Sequence, residues 1–274
     1  MAWLLSKNML TSSGFLMNMP APMRVSVVIP ARNENLTIGH VLEQLRETVA
    51  RLPQYAFETV VVVDYETDLT IPVAESYGAR VVINPQRRGK GNALYHGFRQ
   101  ATGDVLVILD SDGSHDPREM DPFLVEIERG AGMVIGSRVL GGSDDHDVIR
   151  LFGNALFTML MSILFGTTLM DTLNGYKVFR KELVAGYTPR AKGFDVEIEL
   201  VAKAIRSGCR IVEIRAHENR RAGGRMKSRA IRDGFAILRA CLREGVKFRV
   251  WQLFHPSANG RRAESSHGTG RVSA

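Results

Sequence analysis

The stretch DVLVILDSDGSHDP, residues 104–117, decides the fold. Its apolar run from Val105 to Leu109 has no polar alternation, so it reads as a strand buried on both faces. The run ends in Asp110-Ser111-Asp112, followed by a turn at Gly113. Two carboxylates one residue apart repel, and burial is costly unless something positive sits between them. A divalent cation meets that need. Oxygen ligands suit Mg²⁺ or Mn²⁺, and Mg²⁺ is commonly held by one or two carboxylates plus substrate phosphates. The plain alternative is a strand end whose acids are solvated.

Outward from this stretch the same pattern recurs. VSVVIP (25–30), ETVVVVD (58–64), ARVVIN (79–84) and GMVIGSR (132–138) are further strand runs. Between them lie NENLTIGHVLEQLRETVARL (33–52), a helix that Asn33 or Asn35 would cap, and IPVAESYG (71–78), a helix stopped by Gly78. GKGNALYHGFRQATG (89–103) is a loop into a helix, and PREMDPFLVEIERG (117–130) is another helix. This alternation predicts an α/β fold with a Rossmann-like, mostly parallel sheet flanked by helices. In such sheets ligands bind outside the carboxyl ends of the strands. Asn33, Glu34, Asp64, Asp110, Asp112 and Arg138 all fall at those ends.

With 274 residues, 45% hydrophobic and 24% charged, the chain can bury a sizeable core. A net charge of +7 and a pI near 9.6 favour an anionic partner: nucleotide phosphates, a phosphorylated acceptor, an anionic membrane surface or nucleic acid. Cys209 and Cys241 form no disulfide framework and no metal spacing, as expected in a reducing compartment. No run approaches the length needed to span a bilayer. The start, MAWLLSKNMLTSSGFLMNMP, lacks the features of a signal peptide, and Met17, Met19 and Met23 leave a later start open. No G-x-G-x-x-G follows the first strand and no G-x-x-x-x-G-K-[ST] occurs, which argues against a dehydrogenase and a P-loop NTPase. An acidic edge facing Arg87, Arg88 and Lys90 suits a metal-bridged nucleotide diphosphate instead. A nucleotidyltransferase would carry a Gly-rich, Arg-containing loop after its first strand, and PARNEN is not that loop.

The ordered set VVIPARNE, VVVVDYETDLT, NPQRRGKGNALYHGFRQATGDVLVILDSDGSHDP, VIGSR, DTLNGYKVFR, GFDVEIELVAKAIRSGCRIVEI and RRAGGRMK resembles family-2 glycosyltransferases with the GT-A fold. The resemblance is to their dolichyl- or polyprenyl-phosphate sugar synthase branch. It implies a single GT-A domain over 24–245 with a C-terminal helical extension. Residues 1–23 would be a partly disordered N-terminal extension, and 246–274 a largely disordered tail. It also implies metal-dependent, inverting transfer from a nucleoside-diphosphate sugar. Pro30, Arg32, Asn33 and Glu34 would line the nucleotide pocket with Lys90, and Asp64 would bind the base. Asp110 and Asp112 would hold Mn²⁺ or Mg²⁺ on the diphosphate. Arg138 would face the sugar or phosphate, and Lys177, Arg221 and Lys227 an anionic acceptor.

Among Asp195, Glu197 and Glu199, Glu197 falls where many relatives carry their base. It would act as base for a hydroxyl acceptor or orient the site for a phosphate acceptor; alternatively these acids complement a helix dipole. The chain departs from the family at three places. DYETDLT is one residue shorter than the usual D-D-G-S-T-D-x-T, although Asp64, Asp68 and Thr70 still fit. Ser114 stands where a Gln ligand can follow the acid pair, and Met226 where a Ser precedes Lys227.

The expected acceptor is a polyprenyl phosphate, with a hydroxyl of a soluble small molecule as the alternative. No nucleic-acid partner is expected. After Gly224, Ile231, Phe235, Leu238 and Leu242 repeat at helical spacing beside Arg229, Arg232, Arg239 and Arg243. That helix would lie on an anionic membrane surface, or else pack on its own domain or a partner subunit. The expected location is cytoplasmic, peripheral on the inner membrane face.

Overall fold

The computed structural model describes residues 21–144, 147–223 and 230–254. The strands are β1 (Met23–Pro30), β2 (Tyr55–Val63), β3 (Arg80–Ile83), β4 (Val105–Ile108), β5 (Met133–Ser137), β6 (Lys177–Arg180) and β7 (Ile211–Arg215). They form one sheet in the order β3-β2-β1-β4-β6-β5-β7. The helices are α1 (Ile38–Arg51), α2 (Thr70–Ser76), α3 (Lys90–Gln100), α4 (Met120–Glu128), the short α5 (Arg138–Gly141), α6 (Val148–Phe165), α7 (Val196–Arg206) and α8 (Ala230–Phe254).

The strands are continuously apolar because both faces of the sheet are covered. Successive side chains point to opposite faces. Val25, Val27 and Ile29 of β1 pack in one core with Val41 and Leu45 of α1 and Phe123 and Ile127 of α4. Val28, between them, joins a second core with Leu94 and Phe98 of α3 and Ile198 and Val201 of α7. Strands β1 to β4 pair in parallel, as the sequence predicts. Strand β6 runs antiparallel to both β4 and β5, with Lys177 opposite Ile108 and Ile135. An antiparallel strand brings its first residue, not its last, to the edge where β1, β2 and β4 end.

Three expectations change. Neither Asn33 nor Asn35 caps α1, whose N-cap position is Thr37 with no side-chain capping bond. Asn33 instead takes a left-handed conformation (φ 51°) and donates its N–H to Asp68. Second, α6 has 18 residues and a mean hydropathy of 1.8, long and apolar enough by length and composition to cross a membrane. Arg150, Gly153 and Asn154 break the run in sequence, yet on the helix they leave an apolar face. Third, α8 continues to Phe254, past the boundary expected at 245. Helices α6 and α8 pack together: the rings of Phe165 and Phe248 stack 4.8 Å apart. A Cβ on Gly245 would come within 2.8 Å of Leu164. Gly78 ends α2 with φ 76°, as expected. Cys241 is buried and Cys209 half-buried, and both are free thiols.

Candidate active site

The acid pair sits in the turn after β4. Ser111 Oγ donates to the carbonyl of Pro30 at 3.0 Å, fastening this turn to the end of β1. Asp112 Oδ1 accepts the N–H of Ser114 at 2.9 Å, across a left-handed Gly113 (φ 81°). Each acid has its own cation. Lys90 Nζ lies 2.7 Å from Asp110 Oδ1, and Arg221 Nη1 lies 2.7 Å from Asp112 Oδ2. Burial alone would raise the pKa of Asp110, but Lys90, His115 and Arg221 hold it down at about 2. His115 is buried beneath Asp110, whose N–H donates to His115 Nδ1 at 3.4 Å. Its ring packs on Tyr176, which stacks on Phe123. Gly175 closes the floor: a Cβ there would sit 2.8 Å from Lys90 Nζ and 2.9 Å from Asp110 Oδ2.

The three acids at the start of α7 have three different tasks. Asp195 accepts the N–H of Gly193 at 2.9 Å. Glu199 accepts the N–H of Arg190 at 2.9 Å and those of Ala191 and the Tyr187 hydroxyl, holding that loop on the helix. Glu197 alone lines the cleft. Its Oε2 is 2.6 Å from Lys177 Nζ and its Oε1 3.1 Å from Lys90 Nζ. Lys177 therefore does not face an acceptor. It is fully buried on β6, where Nζ also donates to the carbonyl of Asn174.

At the donor end, Asp64 is buried; its Oδ1 accepts from Asn84 at 3.1 Å, and Oδ2 lies 3.8 Å from Arg32 Nε. Glu34 accepts from Thr37 Oγ1 at 3.0 Å and faces Arg221 Nη2 at 3.3 Å. Asp68 and Thr70 brace the turn around Glu34: Asp68 Oδ2 takes the N–H of Asn33 and Thr70 Oγ1 that of Glu34. Pro30, Arg32, Glu34, Asp64 and Lys90 line the cleft, whereas Asn33 is exposed and does not. Arg138 reaches the cleft wall, but it is turned to acids. Asp171 binds it through Nε and Nη2, each at 2.7 Å, and Glu218 lies 3.3 Å from Nη1. It organises the wall more than it offers donors to a ligand. Arg221 lines the cleft, paired there with Asp112 and Glu34; Lys227 lies outside the described residues.

The cleft has a volume of about 1750 Å³. It runs from Asp64, Asp110 and Glu197 to an apolar end formed by Ile149, Phe152 and Phe157 of α6 and Phe235 and Leu238 of α8. Among the described residues no group of three or more His, Cys, Asp or Glu side chains gathers to hold a metal. Asp110 and Asp112 supply two hard oxygen donors. That set fits a Mg²⁺ or Mn²⁺ ion completed by diphosphate and water, not a cage made by protein alone. The sequence assigned no role to His115, Asp171, Gly175 or Glu218. Asp171 and Gly175 lie within DTLNGYKVFR, and nothing local says that this segment turns back onto β4.

A mostly parallel sheet with paired acids in the turn after β4 and a cleft along its carboxyl edge is the GT-A glycosyltransferase architecture. The chain belongs to glycosyl transferase family 2, which matches over residues 26–187. It is 28% identical over 213 residues to the dolichol-phosphate mannosyltransferase of Pyrococcus furiosus, covering 75% of this chain and 59% of that protein. The chain thus spans less than two thirds of that relative's length. The undecaprenyl-phosphate mannosyltransferase of Micrococcus luteus is 31% identical over 205 residues, covering 70% of this chain and 82% of that one. Among solved structures, glucosyl-3-phosphoglycerate synthase from Mycobacterium tuberculosis, in complex with Mn²⁺, UDP and glucosyl-3-phosphoglycerate, superposes with a TM-score of 0.62 at 26% identity. That match covers 82% of this chain and 80% of the other.

Proposed function

We propose that this protein transfers a sugar, with inversion, from a nucleoside-diphosphate sugar to the phosphate of a polyprenyl-type lipid. The observation that carries the reading is the continuity of the cleft. Its polar end holds the acid pair and Asp64, and its other end is lined by apolar side chains of α6 and α8 beside Arg150, Arg232 and Asp233. An acceptor with an anionic head and a long apolar tail fits both ends at once. Relatives named for dolichol-phosphate and undecaprenyl-phosphate mannosyl transfer support it.

Asp64 takes the base, and Lys90 and Arg221 bring positive charge to the phosphates. Asp110 and Asp112 would hold Mg²⁺ or Mn²⁺, which when bound supplies Lewis-acid stabilisation of the departing diphosphate. An acceptor phosphate oxygen attacks the anomeric carbon from the face opposite the leaving group. Being already an anion, it needs no proton removed, and Glu197, set between Lys177 and Lys90, orients the site.

The exposed apolar side chains of α6 and α8, some of them at the mouth of the cleft, support peripheral membrane contact. Val148, Ile149, Phe152 and Ile163 are exposed on α6, and Phe235, Val246 and Phe254 on α8. Exposed Arg232, Arg239 and Arg249 flank them and complement an anionic lipid surface.

The test offers radiolabelled UDP- and GDP-sugars with Mn²⁺ to the protein, together with undecaprenyl phosphate in detergent or with 3-phosphoglycerate. The donor is chosen first by thermal stabilisation, since a ligand of the folded state raises its stability. The expected product partitions into organic solvent and is labile to mild acid. Transfer to 3-phosphoglycerate with no lipid product would leave the soluble acceptor as the correct account.

A further inference from the structure

Lys177 is a buried cation that no ligand can reach. It is wholly inaccessible and lies behind the cleft wall, and burial lowers its pKa against the opposing pull of Glu197. A buried ion pair is seldom worth more to a fold than apolar side chains of the same volume. Stability alone is therefore a weak reason for a lysine at this point of the sheet.

Its place in a row of charges is a stronger one. Lys177 Nζ is 2.6 Å from Glu197 Oε2, Glu197 Oε1 is 3.1 Å from Lys90 Nζ, and Lys90 Nζ is 2.7 Å from Asp110 Oδ1. The row begins on a strand held from both sides, because Lys177 pairs with Ile108 and Ile135 on the two neighbouring strands. It ends on the first acid of the pair. The two inner members, Glu197 and Lys90, each have a neighbour of opposite charge on either side, so a shift at one end is passed to the other.

We propose that Lys177 is a positioning residue for sugar transfer. It anchors one oxygen of Glu197 to the sheet, so that the other oxygen holds Lys90 against Asp110. Without that anchor, Glu197 turns fully to Lys90 and draws it away from Asp110, and the donor loses a fixed cation at its diphosphate. This inference rests on the glycosyl-transfer reading but not on the identity of the acceptor.

The experiment is a double-mutant cycle with Lys177→Met, Glu197→Gln and the combined variant. It is read by steady-state kinetics and by calorimetric titration with Mn²⁺·UDP, or Mn²⁺·GDP if that nucleotide stabilises the wild type better. Lys177→Met is expected to lower kcat about 10- to 100-fold, the scale of a misplaced reacting group, while acceptor KM stays within about twofold. Nucleotide affinity should fall in Lys177→Met and Glu197→Gln alike. The combined variant should be no worse than Glu197→Gln alone, since Lys177 acts only through that side chain. Additive losses in kcat, or a raised acceptor KM in Lys177→Met, would overturn the assignment.

Lys177→Met leaves a buried carboxylate without its anchor and can fail to fold. The combined variant removes both charges, and comparing it with Glu197→Gln then decides: equal kcat supports the role, and a further loss of about tenfold or more defeats it. Nucleotide binding requires no turnover. Normal nucleotide binding in both single variants would therefore count against Lys177 specifically, whereas a wild type that binds nucleotide but transfers nothing would count against the transfer reading.

Discussion

Asp110 and Asp112 would repel each other in a bare site, yet Lys90 and Arg221 each lie 2.7 Å from one of them. Arg221, bonded to Asp112 Oδ2, would compete with a divalent ion for that carboxylate. It is the more exposed of the two cations and contacts Asp112 from a separate segment. Arg221→Ala should therefore bind Mn²⁺ alone more tightly than wild type, by about fivefold if the partly exposed pair is worth about 1 kcal/mol. Electron paramagnetic resonance of free Mn²⁺ during titration measures it; unchanged or weaker binding would show that Arg221 does not compete. Asp110→Asn and Asp112→Asn should each abolish most transfer, and Asp110→Asn should also melt lower than wild type at neutral pH, because the cations that hold its carboxyl pKa at about 2 contribute stability. Chelator should silence the wild type until Mn²⁺ is restored, and full turnover of verified metal-free protein would defeat the metal role. The acid pair was legible because acids at the end of a buried strand demand compensation. Lys177 was misassigned because a sequence displays charge but not its direction: its side chain is buried against Glu197 of α7, while Arg138 reaches the cleft wall paired with Asp171.

The elements up to residue 138 follow from apolar periodicity, since each strand has a run and each helix a face. Strand β6 is only four residues long, and its reversed direction requires the segment after β5, through α6, to come back to the same edge of the sheet rather than cross it, which no local pattern encodes. Helices α7 and α8 are joined by a charge cluster that periodicity also hides. Glu244 is fully buried on α8, with Arg206 of α7 at 2.5 Å and Arg243 and Lys247 at 2.8 Å. Burial opposes its ionisation, but these three cations hold its pKa down at about 2. A depressed carboxyl contributes stability that is complete above its unfolded pKa of about 4.5 and is lost as pH falls towards about 2. Discounted for the partly exposed partners, the contribution is about 1–2 kcal/mol. Glu244→Gln should melt lower than wild type at neutral pH, and the gap should close as pH falls through that window. A gap that stays constant with pH would mean that Glu244 supports the helices by packing alone.

At the scale of the whole molecule, one apolar surface made by α6 and α8 adjoins the open end of the cleft. Phe152 and Phe235 are each 70% exposed on it. The sequence disclosed the α8 half through its basic, amphipathic repeat; the α6 half was hidden by Arg150, Gly153 and Asn154. A face of this kind is costly in water, with a fully buried Phe worth about 1.5–3 kcal/mol, and its basic border favours anionic lipid. The protein should therefore sediment with phosphatidylglycerol-containing vesicles more than with pure phosphatidylcholine, and salt should weaken that preference by screening. Phe152→Glu and Phe235→Glu both leave the acid pair, Asp64 and Glu197 untouched, so nucleotide binding should stay normal. Each should reduce vesicle binding by about tenfold or more, since a buried apolar group is replaced by a charge that anionic lipid repels. Transfer to lipid acceptor in vesicles should fall in parallel, while transfer in detergent, where the acceptor is delivered without a bilayer, should fall less. If the wild type ignores both kinds of vesicle and sediments as a dimer that Phe152→Glu dissociates, the surface is an interface between two copies of the chain and the membrane reading fails.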